Sequence, residues 1–332
     1  MGNMKIKMFT HTDLDGVGCA ILAYLAFGRE NVDVEYCDYS NVNDKVEDFF
    51  VNGCAGEYDK VFVTDISISN ELAQAIDKYA VDGLWNLFDH HATAIYLNAY
   101  DWCQVLDVTP ITHIKTCGTE LFYRYLHVVL DKFPNTDTWT QENIQKFVET
   151  VRDWDTWRWK ELGKEGIVCK QVNDLFDIYG REEFIDWAMK QITFSASPMN
   201  GFPNFTDIDK ALLKQKQKDI DQYVEEKSKQ LFHRVDDVGR TYGVVFAERY
   251  FSELGNRLCE IYPNLAYITM VDVAHGTVSY RTVRDDIDLG GEIAHAYGGG
   301  GHPKAAGSTF DKERIQRTVH GLIFSNELCH RL

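Results

Sequence analysis

Residues 5–27 read KIKMFTHTDLDGVGCAILAYLAF, in which a short polar segment separates two apolar runs. The first run, Ile6–Thr10, has the length of a buried strand, and the second, Val17–Phe27, has the length of a helix. The polar segment between them, HTDLDG at 11–16, ends in a glycine that permits a tight turn. The chain therefore opens with a predicted strand, a polar turn and a predicted helix.

The same alternation of strand and helix continues through the first half of the chain. The further strand-like and helix-like segments are, in order, Val32–Tyr36, Val42–Phe50, Val61–Asp65, Glu71–Tyr79 and Leu84–Asp89. Repeated strand–helix units are typical of a parallel sheet with helices on its faces. The polar clusters HTDLDG, TDIS and DHHAT follow the first, third and fourth strands. Because ligands bind beyond the carboxyl ends of such strands, the clusters predict a functional site at that edge.

The second half of the chain is organised differently. Residues 116–190 are predicted to be mainly helical, the Pro- and Gly-containing piece 195–207 indicates a boundary, and Ile208–Phe232 indicates a connecting helix. Strands and helices then recur on a smaller scale, with one helix capped by Ser252 and another over 289–298. The predicted fold class is α/β, and its parts are a first domain at 1–195, a linker at 196–235 and a smaller α/β domain at 236–332.

Composition excludes several classes of protein. The chain has 332 residues and a formal net charge of −17, and such a field repels a polyanion, so binding to long duplex nucleic acid is not expected. No run approaches the roughly 20 apolar residues of a membrane helix, and the N-terminus turns polar too early for a signal peptide. The eight cysteines contain no C-x-x-C pair and resemble buried apolar residues. These features predict a cytoplasmic protein without membrane contact.

Three potential metal ligands lie together in the first polar segment. His11, Asp13 and Asp15 recur at every second residue, so an extended backbone would point them to one side. Mixed imidazole and carboxylate donors suit manganese better than calcium or an all-sulfur zinc site. Taken alone, such a triplet is more often a solvated loop. However, Asp65 and the run Asp89–His91 end strands at the same expected edge, and together the three clusters predict a metal site.

A glycine-rich segment in the last domain predicts an anion site. The four residues Gly298–Gly301 precede His302, Pro303 and Lys304. Glycines let backbone N–H groups converge on a phosphate or carboxylate, and the histidine and lysine would add positive charge. The spacing matches neither a Walker loop nor GxGxxG. The alternative interpretation is a helix C-terminal turn after Tyr297.

Five segments resemble the motifs of one superfamily. They are HTDLDG at 11–16, VTDIS at 63–67, FDHHAT at 88–93, VRDWDTW at 151–157 and GGGGHPKAAG at 298–307. In this order they resemble the DHH phosphoesterases, in the branch that carries a C-terminal DHHA1 domain and includes oligoribonucleases that degrade nano-RNA. The resemblance implies a DHH domain with a mostly parallel sheet flanked by helices, a linker helix, a smaller α/β DHHA1 domain and an active site in the cleft between the domains.

The resemblance also implies two divalent cations, with Mn²⁺ as the first choice and Mg²⁺ or Co²⁺ as alternatives. His11 and Asp13 would bind one cation, Asp15 and His90 the other, and Asp65 would bridge both. Two cations about 3.5–4 Å apart lower the pKa of a shared water and stabilise the entering and leaving oxygens at phosphorus. The implied nucleophile is a bridging hydroxide.

Four further residues receive implied roles near this site. Asp153 and Asp155 both match the fourth carboxylate of the second metal, and the choice between them stays open with a slight preference for Asp153. Asp89 would orient an imidazole rather than touch metal. His91 would contact the scissile phosphate and help the leaving alkoxide depart.

On the substrate side, the resemblance implies that Arg281, in the segment SYRT, and the glycine-rich segment hold the end of the substrate. The implied contacts are Arg281, Gly299, Gly300, Gly301, His302 and Lys304. The leading prediction is a Mn-dependent oligoribonuclease that releases 5′-mononucleotides from short oligonucleotides or dinucleotides, with 3′-phosphoadenosine 5′-phosphate as an additional substrate. The alternatives are a pyrophosphatase or short-chain exopolyphosphatase and, less favoured, a catalytically silent scaffold. A homodimer is left open.

Overall fold

A computed structural model describes residues 4–81, 83–130, 133–134, 136–193 and 201–324 of the chain. The chain divides into two compact units, Met1–Leu213 and Lys214–Leu332. The boundary predicted after residue 195 falls within 194–200, which lies outside the described residues, as does Cys329. Within the described ranges, no helix is both long enough and apolar enough to cross a membrane.

The first unit contains a five-stranded parallel sheet in the order β2-β1-β3-β4-β5. Its strands are β1 (Ile6–His11), β2 (Val32–Cys37), β3 (Lys60–Thr64), β4 (Trp85–Asp89) and β5 (Cys103–Val105). The four predicted strands are confirmed. The fifth strand was not predicted, because its three residues are too few to show a pattern.

Helices flank this sheet along the first unit. They are α1 (Leu14–Phe27), α2 (Val42–Val51), α3 (Asn70–Tyr79), α4 (Gly118–Leu130), α5 (Thr138–Asp155), α6 (Lys164–Tyr179) and α7 (Arg181–Thr193). A further helix, α8 (Asp207–Ser228), follows them. The connecting helix predicted to reach Phe232 therefore ends four residues earlier, and Phe232 instead begins a strand.

Alternate residues of the strands pack into two separate apolar clusters. Met8 and Phe62 are buried in one cluster with side chains of α1 and α4, whereas Phe9 and Val63 are buried in the other with side chains of α2 and α3. Since both faces of the sheet are covered, the strands read as continuous apolar runs rather than as alternating patterns. The carboxyl ends of the strands remain available for polar side chains.

The second unit contains a six-stranded mixed sheet in the order β10-β11-β9-β8-β7-β6. Its strands are β6 (Phe232–Val235), β7 (Thr241–Phe246), β8 (Ile268–Asp272), β9 (Thr277–Arg281), β10 (Gly300–His302) and β11 (Ala305–Thr309), and its helices are α9 (Phe251–Ile261) and α10 (Lys312–Phe324). Strands β7 and β8 pair in parallel, and the other four neighbouring pairs of this sheet are antiparallel. The predicted α/β fold class, with a smaller second sheet, is confirmed.

One local prediction in the second unit is wrong, and another is confirmed with a different helix type. The N-cap of α9 is Tyr250, and no side chain caps the helix, so Ser252 lies within its first turn. The helix predicted over 289–298 is present, but it begins as a π-helix at Leu289–Ala294 and ends at residue 296. Paired glycines at 290–291 weaken a regular α-helix, which fits the π-helical start.

Candidate metal centre

The first ligand-bearing segment changes from strand to helix within five residues. His11 ends β1, and Asp13 is the N-cap of α1, where its Oδ1 accepts a hydrogen bond of 3.1 Å from the Gly16 amide. Asp15 lies in the first turn of α1, so the segment is not extended as far as that residue, contrary to the prediction. A Cβ at Gly16 would lie 2.2 Å from the His11 carbonyl oxygen, so only glycine fits this turn.

Asp65 follows β3 in a left-handed conformation, with φ of 56°. A non-glycine residue in this region usually costs of order 1–3 kcal/mol and persists only where surrounding structure imposes it. Here its amide donates a hydrogen bond of 2.8 Å to the carbonyl of Phe88 on the neighbouring strand. The turn directs the buried Asp65 carboxylate toward His11 and His90.

The ligand atoms form two groups that share Asp65. In the first group, His11 Nδ1 lies 3.0 Å from Asp13 Oδ2 and 3.8 Å from Asp65 Oδ2. In the second, His90 Nε2 lies 3.3 Å from Asp65 Oδ1 and 3.7 Å from Asp15 Oδ2. One oxygen of Asp65 thus faces each group, which is the arrangement expected of a carboxylate that bridges two cations.

The two candidates for the fourth carboxylate lie in different environments. Asp155, the last residue of α5, places Oδ2 3.5 Å from His90 Nε2 and forms a potential ligand set with Asp15 and His90. Asp153 Oδ1 instead pairs with Arg152 at 2.9 Å and with Arg158 at 3.1 Å. The slight preference for Asp153 is therefore not supported by its placement, because both arginines already neutralise that carboxylate.

The electrostatics of the cluster favour the binding of positive charge. Burial and the negative charges of Asp15 and Asp13 raise the pKa of Asp65 well above its ordinary value, and the same causes raise the pKa of Asp155. Burial lowers the pKa of His90. Among the described residues, His90 Nε2 and Asp65 Oδ2 are buried without a geometrically acceptable hydrogen bond, and buried His11 Nδ1 faces only the carboxylates of Asp13 and Asp65. Bound divalent cations would satisfy these atoms and stabilise the crowded carboxylates.

Asp89 is engaged in hydrogen bonds that leave it little capacity for a metal. Its Oδ1 accepts from the His90 amide at 2.8 Å and lies 2.7 Å from His91 Nδ1, while its Oδ2 accepts from the Ser67 hydroxyl. Burial acts to raise the pKa of Asp89, but the bonds from His91 and Ser67 outweigh it and hold the pKa below the ordinary value. Asp89 therefore fixes the His91 ring with Nε2 pointing away from the carboxylate, where it meets the Tyr39 hydroxyl at 3.0 Å.

Asp15 is held by the start of a helix that is distant in sequence. The amides of Gly118 and Thr119, at the N-terminus of α4, donate to its two carboxylate oxygens at 2.6 and 2.8 Å. Amides at a helix N-terminus bind a carboxylate well, so this contact orients the Asp15 side chain. The sequence offered Thr119 or Thr116 as the cap of the helical segment 116–190, but it did not predict the contact with Asp15. A Gly-Thr pair before an apolar helical run indicates only the start of a helix, and it does not identify Asp15 as the partner.

In the second unit, Arg281 is partly buried beside α9. Its Nη2 donates to the Ser252 hydroxyl at 3.2 Å and its Nη1 to the Tyr280 carbonyl at 2.8 Å, while its Nε is buried without a partner. Burial lowers the pKa of Arg281. A Cβ at Gly255 would lie 2.5 Å from Arg281 Cγ, so this glycine makes room for the side chain. The sequence indicated Ser252 only as a helix cap, and it did not reveal the contacts of Ser252 and Gly255 with Arg281.

The glycine-rich segment forms the exposed edge of the second sheet. Strand β10 (Gly300–His302) pairs with β11, and Gly299 comes just before it. The predicted charge of Lys304 is already paired, because its Nζ lies 2.7 Å from Asp285 Oδ1 and also donates to a backbone carbonyl. The segment therefore offers backbone groups and His302 rather than a free lysine.

Comparisons with known proteins identify relatives that match most of the chain. Oligoribonuclease NrnB of Bacillus subtilis (strain 168) is 34% identical over 308 residues, covering 92% of this chain and 73% of the relative. The DHH domain of a protein described as a member of a family of ribosomal proteins has a TM-score of 0.64 at 11% identity, covering 96% of this chain and 85% of that one. RecJ from Thermus thermophilus, solved in complex with Mn²⁺, has a TM-score of 0.53 at 14% identity, covering 95% of this chain and 51% of RecJ. No protein-family model matches the sequence.

The identity to NrnB extends over nearly the whole chain, and the structural likeness to the other two proteins concerns the fold alone. The chain belongs to the DHH phosphoesterase superfamily, in the family of oligoribonuclease NrnB. The predicted superfamily is confirmed, and the cluster of carboxylates and histidines in the first unit is a candidate metal centre of this family.

Proposed function

We propose that this protein hydrolyses short oligonucleotides, namely nano-RNA and dinucleotides, to 5′-mononucleotides with the help of two divalent cations. The observation that carries the proposal is a pair of buried atoms without hydrogen-bond partners, Asp65 Oδ2 and His90 Nε2, placed with His11 Nδ1 among ionisable carboxylates. Such atoms are costly in a folded protein unless a ligand completes them. The substrate class rests on the relationship to an oligoribonuclease.

The residues present fit two cations. His11, Asp13 and Asp65 would hold one, and the carboxylates and imidazole of the second group would hold the other. The second group consists of Asp15, Asp65, His90 and Asp155. Mixed oxygen and imidazole donors suit Mn²⁺, with Mg²⁺ and Co²⁺ as weaker candidates. When bound, such a pair lowers the pKa of water and stabilises charge on both the entering and the leaving oxygens of a phosphoester.

His91 would act on the phosphoester itself. Its Nδ1 is fixed by Asp89, so its Nε2, which faces the Tyr39 hydroxyl, is the nitrogen that would meet a phosphate oxygen or the leaving group. Burial lowers the pKa of His91, but Asp89 outweighs burial and raises it, which favours the protonated ring. A protonated Nε2 would hold the phosphate by a charge-assisted bond and supply a proton to the departing alkoxide.

Recognition of the substrate's end falls to the second unit in this proposal. Arg281 has no carboxylate partner within ion-pair distance among the described residues, and its Nε lacks any partner. An arginine in this state gains most from a phosphate or carboxylate ligand. The backbone of Gly299–Gly301 and the exposed His302 would add contacts to the same terminal group. One guanidinium group, that of Arg281, suits a single terminal phosphate better than a polyphosphate chain.

The test is hydrolysis by the pure protein with Mn²⁺ and end-labelled substrates. The substrates are a dinucleotide, a 5-mer, a 24-mer, 3′-phosphoadenosine 5′-phosphate and pyrophosphate. We expect the dinucleotide and the 5-mer to give 5′-mononucleotides fastest, with slower release of phosphate from the bisphosphate nucleotide. Preference for pyrophosphate would favour the pyrophosphatase alternative, preference for the 24-mer would contradict the short-substrate proposal, and inactivity on every substrate would favour the silent scaffold.

Asp65→Asn is the matched inactive control. Asparagine tolerates the left-handed backbone of this position, whereas alanine would add strain, so the variant should fold while losing the bridging charge. Retained hydrolysis by folded Asp65→Asn would assign the activity to a contaminant or to another site.

A further inference from the structure

Tyr39 lies beside the candidate metal centre, although no sequence motif pointed to it. It belongs to the loop between β2 and α2, at the sheet edge where the ligand-bearing segments end. Its hydroxyl oxygen is 3.0 Å from His91 Nε2, and its ring centroid is 5.2 Å from that of His11. Despite these contacts the residue is 60% exposed. A large aromatic side chain is thus both fixed to the site and open to solvent.

The loop that carries Tyr39 is tied to the first ligand-bearing segment. The Asp38 amide donates to Asn41 Oδ1 at 2.9 Å, and the Asn41 amide donates back to the Asp38 carbonyl at 3.0 Å. The hydroxyl of Thr12, which lies between two of the candidate metal ligands, donates to Asp38 Oδ1 at 3.3 Å. These bonds set the position of the ring relative to His11.

The contact with His91 places the ring next to the reacting phosphate of the proposed function. Because His91 Nδ1 faces Asp89, its Nε2 accepts a hydrogen bond from the Tyr39 hydroxyl when the imidazole is neutral and donates one to the hydroxyl oxygen when it is protonated. A phosphoester that meets Nε2 must share that position with the hydroxyl or displace it. In both cases the Tyr39 ring would lie next to the phosphoester.

We propose that Tyr39 is a substrate-binding residue whose exposed ring face stacks on the base of the nucleotide adjoining the scissile phosphate. The proposal rests on the proposed phosphodiesterase function and names the group that the same site recognises. An unpaired base presents a flat apolar face of matching size, and stacking on an aromatic ring is tolerant of base identity. A base inside a duplex is already stacked, so this contact favours short single strands.

A purely supporting role for Tyr39 is less consistent with its exposure. A side chain that only braces His11 and His91 gains most from burial, as Phe9 and Val63 do in the core below. Tyr39 leaves more than half of its surface in water, which a bound base would cover.

The experiment compares Tyr39→Ala and Tyr39→Phe with the wild type on two substrates with Mn²⁺. One is a dinucleotide with both bases, and the other is the same sugar–phosphate dinucleotide without bases. Tyr39→Ala should lower kcat/KM for the base-bearing dinucleotide by about 5- to 100-fold, mainly through KM. Tyr39→Phe keeps the ring and loses one hydrogen bond, so its loss should be smaller, about 2- to 10-fold. On the baseless dinucleotide, Tyr39→Ala should lose no more than Tyr39→Phe, about 2- to 10-fold, because only the hydrogen bond to His91 is then missing.

Binding gives a second readout that does not depend on turnover. An uncleavable dinucleotide with carbon in place of the leaving oxygen should bind Tyr39→Ala more weakly than wild type, and its baseless analogue should show a smaller difference between the two proteins. Tyr79→Ala is the control, because Tyr79 is also largely exposed but ends α3 and has no contact with the metal cluster in the described structure. If Tyr39→Ala does not fold, Tyr39→Leu provides the same test with the bulk of the side chain retained.

Three outcomes would overturn the proposal. Equal losses of kcat/KM on both dinucleotides would mean that Tyr39 only supports the histidines. An unchanged kcat/KM of Tyr39→Ala would mean that Tyr39 does not take part in substrate binding. In either case, wild-type hydrolysis of the dinucleotide leaves the proposed function intact. Failure of the wild type to cleave any dinucleotide would instead overturn the proposed function and this inference together.

Discussion

The amide of Gly118 donates a hydrogen bond of 2.6 Å to Asp15 Oδ2 across 103 residues of sequence. The same glycine packs against a second candidate ligand, because a Cβ at this position would lie 2.6 Å from Asp65 Cβ and 3.1 Å from Asp15 Oδ2. Contacts this close cannot be relieved without moving one of the two aspartates. The start of α4 therefore forms the wall against which both carboxylates are aligned.

Gly118→Ala should consequently weaken both metal activation and folding. We expect hydrolysis at limiting Mn²⁺ to fall about 10- to 100-fold, as for other losses of support to metal ligands. The overlap of the new Cβ with Asp65 should also lower the free energy of unfolding by about 1–3 kcal/mol, although alanine is the better helix former. Gly56→Ala is the control, since a Cβ there meets no atom within 4 Å. Equal Mn²⁺ activation curves for the two variants would contradict this account of Gly118.

Asp155 and Asp153 should give opposite phenotypes when each is changed to asparagine. Loss of a residue that supports a metal ligand from outside typically lowers activity about 10- to 100-fold. Asp155→Asn should lower activity by more than this, because the Asp155 carboxylate faces His90 directly. Asp153→Asn should retain activity but lower the free energy of unfolding by about 1–3 kcal/mol, because it weakens pairing with Arg152 and Arg158. Activity assays and urea unfolding of both variants separate the roles, and an inactive but stable Asp153→Asn would reverse the assignment.

Asp89→Asn should impair turnover more than metal affinity. The substitution removes the negative charge that orients His91 and favours its protonated form, and it leaves the proposed metal ligands in place. We expect kcat to fall about 10- to 100-fold, with a smaller change in the Mn²⁺ concentration for half activation. Ser67→Ala should shift kcat in the same direction by less, since it removes only one bond to Asp89. A large loss of Mn²⁺ affinity in Asp89→Asn would make Asp89 a metal ligand.

The stability of the first unit should depend on pH through Asp209. This buried carboxylate accepts hydrogen bonds from the Tyr179 hydroxyl at 2.5 Å and from the Thr206 amide at 2.7 Å. Burial acts to raise the pKa of Asp209, but these hydrogen bonds outweigh it, so its pKa lies below the ordinary value. Its stabilising contribution is therefore complete above about pH 4 and is lost as pH falls through the lowered pKa.

Asp209→Asn should accordingly lower the free energy of unfolding by about 1–3 kcal/mol at pH 7. The difference from wild type should shrink as the pH falls below about 4, because the wild-type carboxylate then takes up a proton. Urea unfolding at several pH values measures this difference. Asp207→Asn, at a fully exposed carboxylate of the same helix, is the control. A difference that is constant from pH 7 to pH 3 would show that the charge of Asp209 does not matter.

Gly300→Ala tests the glycine-rich segment without disturbing the fold. A Cβ at Gly300 meets no atom within 4 Å, whereas one at Gly301 would lie 2.6 Å from Ala306 Cα. If a substrate phosphate approaches this backbone, Gly300→Ala should raise KM for a dinucleotide about 10-fold by displacing a charge-assisted hydrogen bond. Its unfolding midpoint should match that of wild type. Gly321→Ala, at another open position of the same unit, should leave KM unchanged.

Much of the first unit was predictable because its signals are local. The continuous apolar strands and intervening helices predicted a covered parallel sheet, and the polar clusters marked its functional edge. Segments with weak local patterns were missed or misread. The strand Cys103–Val105 is three residues long, Phe232 continues the apolar spacing of the preceding helix, and the π-helical start at Leu289–Ala294 contains two glycines.

The sequence by itself determined the fold class, the superfamily and the types of ligand, since strand periodicity and motif order are carried by neighbouring residues. Only the tertiary structure decided which atoms meet. Asp153 and Asp155 are two residues apart on one helix, and packing turns one toward arginines and the other toward His90. The support of Asp15 by Gly118, and the contact of Tyr39 with His91, join residues 103 and 52 positions apart. No local pattern encodes such contacts, because they arise from the packing of whole strands and helices against one another.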